Sequence, residues 1–355
     1  MRMKLIIQIP CFNEAEDLPA TLAALPRAVD GFDTVEFLVV DDGSSDGTAE
    51  IARRHGVQHV VCHERNRGFA AAYMTGIASA LALGADVIVN TDGDNQYFGG
   101  DIPAVVAPVR DGHADFAMGI RPIHDRRYFP FWKSMLTQLG TWLARMLSGL
   151  PVLDAPSGMR AYTAAAARSL RVTGNFSYTM ETLVLAGSLR WRLASVPTRV
   201  NRVLRPSRLM SSVPQYIRKS TFALLRGVSL HRPGLMCALI LLAGLATAVG
   251  STVSAATFGA ASGQSPLGLL AGLLVCAAGI AWMWRLRSRS GIHARAGSAT
   301  DAPTSLDAVV RSDACGRDDF SGVGSDQEEP LPDVRPVAGI GMPFAVAAGE
   351  QVAGG

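Results

Sequence analysis

The stretch Val35-Glu36-Phe37-Leu38-Val39-Val40-Asp41, followed at once by Asp42-Gly43-Ser44-Ser45-Asp46-Gly47-Thr48, decides the fold. An apolar, β-branched run of strand length stops in an acidic glycine turn, and a helical pattern over residues 46–55 starts before the turn is over. The same order recurs on both sides. Residues 4–9 run apolar into Pro10-Cys11-Phe12-Asn13-Glu14, with a helical pattern over 14–25. Residues 57–62 lead to a helical pattern over 67–83. Residues 86–90 end in Asn90-Thr91-Asp92-Gly93-Asp94-Asn95-Gln96, ahead of a helix over 101–110 and a strand over 115–118. Strand and helix in alternation mean βαβ units, an α/β fold and a mostly parallel sheet. In such a sheet ligands bind beyond the carboxyl ends of the strands, where all three acidic or polar turns fall.

The 355 residues hold one large domain or two modest ones. Hydrophobic residues make up 48% and charged ones 18%, and the mean hydropathy is +0.21, which excludes a mainly disordered chain and points to a membrane. Five scattered cysteines (Cys11, Cys62, Cys237, Cys276, Cys315) form no CxxC pair, so free thiols in a reducing compartment are expected, with no zinc site. The net charge of +3 divides unevenly: the tail from Asp301 carries −7 and the rest +10. A basic body suits anionic lipid or a phosphate-bearing substrate. Nucleic acid is not expected, because no helix-turn-helix, zinc-finger or RNP signature is present.

From Pro233 to Trp284 there is no Lys, Arg, Asp, Glu or His in 52 residues. A Gly/Ser/Pro turn over 259–266 splits the run into apolar segments 235–258 and 267–284, close to the roughly 20 residues that cross a bilayer. Arg218, Lys219, Arg226 and Arg232 precede the run, and Arg285, Arg287, Arg289 and Arg295 follow it. By the positive-inside rule this predicts a multi-pass hairpin in the cell membrane, with the α/β domain and both termini cytoplasmic. Residues 131–147 carry an apolar stripe at helical spacing, and 216–226 are a second basic, apolar helical stretch; both fit an interfacial helix. The expected organisation is an α/β domain over 1–212, an interfacial helix over 213–232, two spans within 233–284 and a disordered tail over 285–355.

Acids at strand tips repel one another unless a cation sits among them. Asp92 and Asp94, two apart in a turn, can aim at one point, and Gln96 can add a neutral oxygen. Few, hard oxygen donors suit Mg²⁺ or Mn²⁺ completed by substrate phosphates.

With these motifs in place, the chain resembles glycosyltransferase family 2, with its GT-A, Rossmann-like nucleotide-sugar-binding fold. Within it, the chain is most similar to dolichol- and polyprenol-phosphate sugar (mannosyl or glucosyl) synthases. DDGSxDGT carries the family; DxDxQ, the later Ser157-Gly158-Met159-Arg160 and the apolar hairpin carry the branch. The resemblance spans about residues 4–209 and the hairpin, but not the tail. It implies metal-dependent, inverting transfer of a hexose from a GDP- or UDP-linked sugar to polyprenyl or dolichyl phosphate at a lipid bilayer. It implies that Pro10, Phe12, Glu14, Val39 and Asp41 hold the nucleoside, and that Asp92, Gly93, Asp94 and Gln96 meet diphosphate and metal. Arg121, Arg202 and Arg208 then meet phosphates or sugar, with Asp92, Asp94, Arg121 and Arg202 catalytic. Lys133, Ser157, Arg160 and Arg205 face the acceptor. Phe12 stands where the family has Tyr, Gly93 where it has Ala, and Arg208 where it has Lys.

A lipid phosphate is already an anion, so no general base is required, and no His lies beside a motif except His124 in a basic loop. Glu181, on a predicted helix, orders the site or pairs with an arginine. The rivals are a transferase acting on a lipid or glycan hydroxyl, a processive polysaccharide synthase and a non-catalytic membrane scaffold. Gly187-Ser188-Leu189-Arg190-Trp191 lacks the Gln of the processive QxxRW motif, and intact Asp92, Asp94 and Gln96 argue against a scaffold.

Overall fold

The structure, a computed structural model, describes residues 2–125, 127–174, 177–201, 213–258 and 264–289. Arg202, Arg205, Arg208, most of the expected turn after 258 and the tail from 290 lie outside the described residues. Seven strands, β1 (Lys4–Cys11), β2 (Thr34–Asp41), β3 (His59–Cys62), β4 (Val87–Asn90), β5 (Phe116–Ile120), β6 (Arg160–Thr163) and β7 (Leu193–Pro197), form one sheet in the order β3-β2-β1-β4-β6-β5-β7. The left half is parallel throughout. The sheet is mostly parallel, as expected, with one exception on the other side: β6 runs antiparallel to both β4 and β5, so the sheet is mixed.

Helices α1 (Leu18–Ala24), α2 (Thr48–Arg54), α3 (Phe69–Ala82) and α4 (Ile102–Arg110) are the crossovers. Successive residues of a strand face opposite sides, and here both sides are covered. Leu5, Ile7, Ile9, Phe37 and Val39 join Leu18, Leu22 and Val105 in one layer. Ile6, Leu38 and Val40 join Tyr73 and Ile77 in the other. Burial on both faces is why these strands read as nearly unbroken apolar runs, and each buried Leu or Ile contributes about 1.5–3 kcal/mol. Because β1 lies between β2 and β4, the three motif-bearing turns converge at one edge.

The next helix, α5 (Phe131–Ser148), leaves most of its large apolar residues exposed. Its fully buried residues are Ser134, Thr141, Ala144 and Ser148, and Leu143 and Leu147 pack partly buried against the core. Its large apolar residues Phe131, Trp132, Met135, Leu139, Trp142 and Met146 face outward. A helix of a soluble core would do the reverse. After the short α6 (Ala164–Ser169) comes α7 (Thr179–Ser188), which is buried almost all round and packs against α8 (Val213–His231).

Two further helices, α9 (Pro233–Phe258) and α10 (Gln264–Arg289), pack against each other. Their backbones meet through small residues: a Cβ on Gly272 would lie 2.7 Å from the Gly244 carbonyl oxygen. The helix α10 starts inside the expected turn and includes Pro266, which the first turn of a helix tolerates because its missing N–H has no partner there. Among the described residues one stretch, Pro233–Ser251, is long and apolar enough to cross a membrane, and 11% of that window is buried. A shorter apolar stretch, Leu270–Arg285, lies in α10.

Candidate active site

A cavity of about 870 Å³ opens beyond the carboxyl ends of β1, β2 and β4. Of the expected donor-site residues, Pro10, Phe12, Glu14, Asp92, Gly93 and Asp94 line it. Two expectations at its floor change. The Val39 side chain is fully buried in the core layer, so it supports the site without facing it. Asp41 is buried and accepts from the Ser44 backbone N–H at 2.9 Å, while the neighbouring Asp42 lines the cavity. The Asp42 carboxylate accepts from the backbone N–H groups of Arg67 and Gly68 at 2.9 and 2.8 Å and pairs with His63 Nδ1 at 2.6 Å. It thereby fixes the start of α3, which forms another wall. Sequence reading passed over His63 because it lies 21 residues from Asp42.

The acidic turn after β4 is held from several sides. Thr21 Oγ1 donates to the Gly93 carbonyl at 2.9 Å, and the Gln96 N–H donates to Asp94 Oδ1 at 3.1 Å. Asn95 sits at φ +54°, a left-handed conformation that Asn tolerates better than most residues. The Asn201 side-chain amide clamps it, donating to the Asn95 carbonyl at 2.9 Å and to Asn95 Oδ1 at 3.1 Å. The segment entering the Arg202–Arg208 strip is thus tied to the acidic turn.

Asp92 Oδ1 is buried without a hydrogen-bond partner in the protein. Burial first, then the Asp94 carboxylate, push the Asp92 carboxyl up to about 7, with Glu14 adding to the effect. A cation relieves such a cluster. Two carboxylates with substrate phosphates are a usual donor set for Mg²⁺ or Mn²⁺, so the residues fit the ion. No group of three or more His, Cys, Asp or Glu able to hold a metal occurs among the described residues, so phosphates would have to complete the shell.

The Gly93 departure has a physical reason. A Cβ there would lie 2.8 Å from Cys11 Sγ and 3.4 Å from Glu14 Cγ. Cys11 is buried and free, and burial pushes its thiol well above the usual range. Cys237 and Cys276 are also free; Cys62 is not among the free thiols. Gly93→Ala should overpack the turn by about 1–3 kcal/mol and lower activity, and Cys11→Ala should restore both by removing the sulfur. A double-mutant cycle in thermal stability checks this; strictly additive losses would sink the pairing.

Arg121 makes a two-pronged ion pair with Asp154, Nε to Oδ2 at 2.7 Å and Nη2 to Oδ1 at 2.9 Å. Asp154 is fully buried and was invisible to motif reading. Burial opposes the Arg121 charge, but the Asp154 carboxylate outweighs it and holds the guanidinium above its usual range. Phe129 brings Arg121 and Lys133 together, each charge centre 5.7 Å from the ring centroid. Burial, then Arg121, lower the Lys133 ammonium.

Arg160, expected at the acceptor, is fully buried. Its guanidinium donates to the carbonyls of Ala155, Ser157 and Thr179 and to Thr182 Oγ1, so it braces its own loop and is not presented to a ligand. Ser157, also expected at the acceptor, is buried as well. The loop still matters to the site: a Cβ at Gly158 would lie 2.9 Å from Asp92 Oδ2. Glu181 takes the ordering role. It is buried and accepts from Thr173 N, Thr173 Oγ1 and Gly174 N at 3.1, 2.8 and 3.2 Å, holding a loop that lines the cavity. His124 is exposed on a turn. Trp191 packs edge-on against Phe116 and Tyr162, a core contact.

The fold and the acidic turns fit a glycosyltransferase, and the comparisons with known proteins agree. The family model for glycosyl transferase family 2 matches residues 6–171. An uncharacterised glycosyltransferase of Mycobacterium bovis is 35% identical over 192 residues, covering 54% of this chain and 82% of the relative. The undecaprenyl-phosphate mannosyltransferase of Micrococcus luteus is 30% identical over 222 residues, covering 59% of this chain and 89% of the relative. Among solved structures, glucosyl-3-phosphoglycerate synthase of Mycobacterium tuberculosis, in complex with phosphoglyceric acid, superposes with a TM-score of 0.50 at 21% identity. That superposition covers 64% of this chain and 79% of the synthase, and it shows a shared fold. The chain belongs to glycosyltransferase family 2. It is a glycosyltransferase similar to enzymes that load sugar onto polyprenyl phosphate.

Proposed function

We propose that the protein transfers a hexose from a GDP- or UDP-linked sugar to polyprenyl or dolichyl phosphate, with inversion, at a membrane surface. One observation carries this reading. The cavity that holds the acidic turn is closed on its other side by α8, and α8 leads straight into the apolar α9. A tethered phosphate can therefore meet the sugar without its prenyl tail leaving the bilayer.

The membrane reading has support of its own. The apolar window in α9 is mostly unburied, unlike the core helix of a soluble domain, and the outward apolar face of α5 is a second lipid-facing surface. We read α9 and α10 as a hairpin with basic flanks on the cytoplasmic side. The catalytic domain then ends near residue 212, and α8 is interfacial.

In this mechanism Pro10, Phe12 and Glu14 hold the nucleoside end. Asp92 and Asp94, with Gln96, would hold Mg²⁺ or Mn²⁺. The ion would neutralise charge building on the departing diphosphate. Arg121, fixed by Asp154, adds a permanent positive charge beside Asp92. An oxygen of the acceptor phosphate attacks the anomeric carbon from the face opposite the diphosphate; that C–O bond forms as the C–O bond to the diphosphate breaks. No proton moves, because the nucleophile is already an anion.

The test is transfer from radiolabelled UDP- and GDP-sugars to polyprenyl phosphate and, separately, to polyprenol. Labelled lipid is expected with the phosphate alone. Equal transfer to the alcohol would return the hydroxyl-acceptor reading to first place.

A further inference from the structure

We infer that His63 is a positioning residue for the donor nucleotide: by holding Asp42 it sets the cavity wall made by Asn66, Gly68 and Phe69. The inference rests on the nucleotide-sugar reading above and adds a residue to it.

His63 directly follows β3, and its backbone N–H donates to the Asp41 carbonyl at 2.8 Å. Its side chain is thereby delivered beside the acidic turn after β2. That side chain is 5% exposed, and both ring nitrogens are engaged. Nδ1 meets Asp42 Oδ1 at 2.6 Å, and Nε2 meets Thr75 Oγ1, on α3, at 2.9 Å. A carboxylate only accepts, so Nδ1 carries a proton toward Asp42, and in the neutral ring Nε2 accepts from the Thr75 hydroxyl. The imidazole is a strut between the acidic turn and α3.

Residues 63–68 form neither helix nor strand, so their path is set by packing and by side-chain bonds. Packing supplies one constraint. Gly43 sits at φ +73°, and a Cβ there would lie 2.6 Å from the Arg65 carbonyl carbon and 2.7 Å from the Asn66 nitrogen. The segment therefore rests on a bare glycine of the acidic turn. Asp42 supplies the second constraint: its carboxylate accepts from His63 and from the backbone N–H groups of Arg67 and Gly68. Gly68, at φ +95°, then turns the chain into α3. Asn66, Gly68 and Phe69 line the cavity together with Pro10, Phe12 and Glu14.

A buried carboxylate that loses a donor gains by turning toward water, and the cavity is where Asp42 would find it. Without His63 the Arg67 and Gly68 N–H groups lose their fixed acceptor, and the wall has to be ordered again when the nucleotide binds. That ordering lowers affinity. The acidic turn after β4 and Arg121 are held by separate bonds, so the loss falls on the nucleotide.

The test uses the full chain in phosphatidylcholine nanodiscs with Mn²⁺. UDP and GDP are titrated by calorimetry into wild type, His63→Leu, His63→Asn and His63→Gln, with thermal melting alongside. The asparagine amide nitrogen can take the place of Nδ1 and donate to Asp42, whereas the glutamine amide reaches the place of Nε2 and meets Thr75. For whichever nucleotide wild type binds, affinity should fall about tenfold in His63→Leu and His63→Gln and stay within about threefold in His63→Asn. Should His63→Leu fail to fold, the contrast between asparagine and glutamine decides. Equal affinities in those two variants would show a merely structural role and overturn the inference. Undiminished binding by a folded His63→Leu would overturn it too, with the nucleotide-sugar reading intact. Wild type binding neither UDP nor GDP would overturn the inference together with the donor half of that reading.

Discussion

Asp94→Ala should lower sugar transfer by about 100- to 1,000-fold, the scale expected when a preorganised charge facing the departing diphosphate is removed. The fold should survive, because Asp94 lines the cavity and adds little to the apolar core. A second, independent signal comes from Asp92. Its carboxyl is raised to about 7 in the fold, by burial and then by Asp94. The sign follows from linkage. A carboxyl whose folded value lies above its unfolded value favours folding most at low pH, and that contribution is lost as pH rises through the folded value. The metal-free protein should therefore lose stability between about pH 4 and pH 7. Mn²⁺ should raise the melting temperature more at pH 8 than at pH 5.5, and Asp94→Ala should shrink that gain. Full activity in excess EDTA, or a melting temperature indifferent to Mn²⁺ at pH 8, would sink the metal reading.

The second large effect is expected at Asp154. Removing this fully buried carboxylate leaves the Arg121 guanidinium, only 10% exposed, without its partner. Breaking a buried pair from one side costs about 3–5 kcal/mol, because an uncompensated charge remains inside. Asp154→Ala should shift urea unfolding by that amount and disable transfer by freeing Arg121 from its place near Asp92. Asp154→Asn, which keeps the shape and one acceptor oxygen, should fall between Asp154→Ala and wild type. If the Asp154→Ala unfolding curve overlays that of wild type, the ion pair does not hold Arg121 in solution.

Much of the catalytic half was legible because its signals are local. β1, β2 and β4 announce themselves by apolar runs that end in polar turns, and those turns must gather wherever parallel strands lie side by side. The short antiparallel β6 was not legible. Its sequence, Arg160-Ala-Tyr-Thr, opens with a residue whose default place is the surface, and its pairing with β4 spans some 70 residues. The burial of Arg160 was illegible for the same reason. Its burial is tolerable only because Ala155, Ser157, Thr179 and Thr182 supply oxygens, two of them from the start of α7. The stripe over 131–147 was readable as a helix, but its direction was not. Periodicity reports that one face is apolar; it cannot report whether that face meets the core or lipid.

By itself, the sequence determined the α/β order, the acidic turn at Asp92–Asp94, the uncharged run from Pro233 to Trp284 and the family. Each is written in residues adjacent along the chain or repeating at a fixed period. Only the tertiary structure decided that Asp154 fixes Arg121, that Cys11 requires Gly93, that Glu181 orders the loop at Thr173, and that α8 closes the cavity with its basic face. These are contacts between segments 8 to more than 100 residues apart. Their energies depend on burial and on the distance between charges, and both quantities come into being only when the chain has folded.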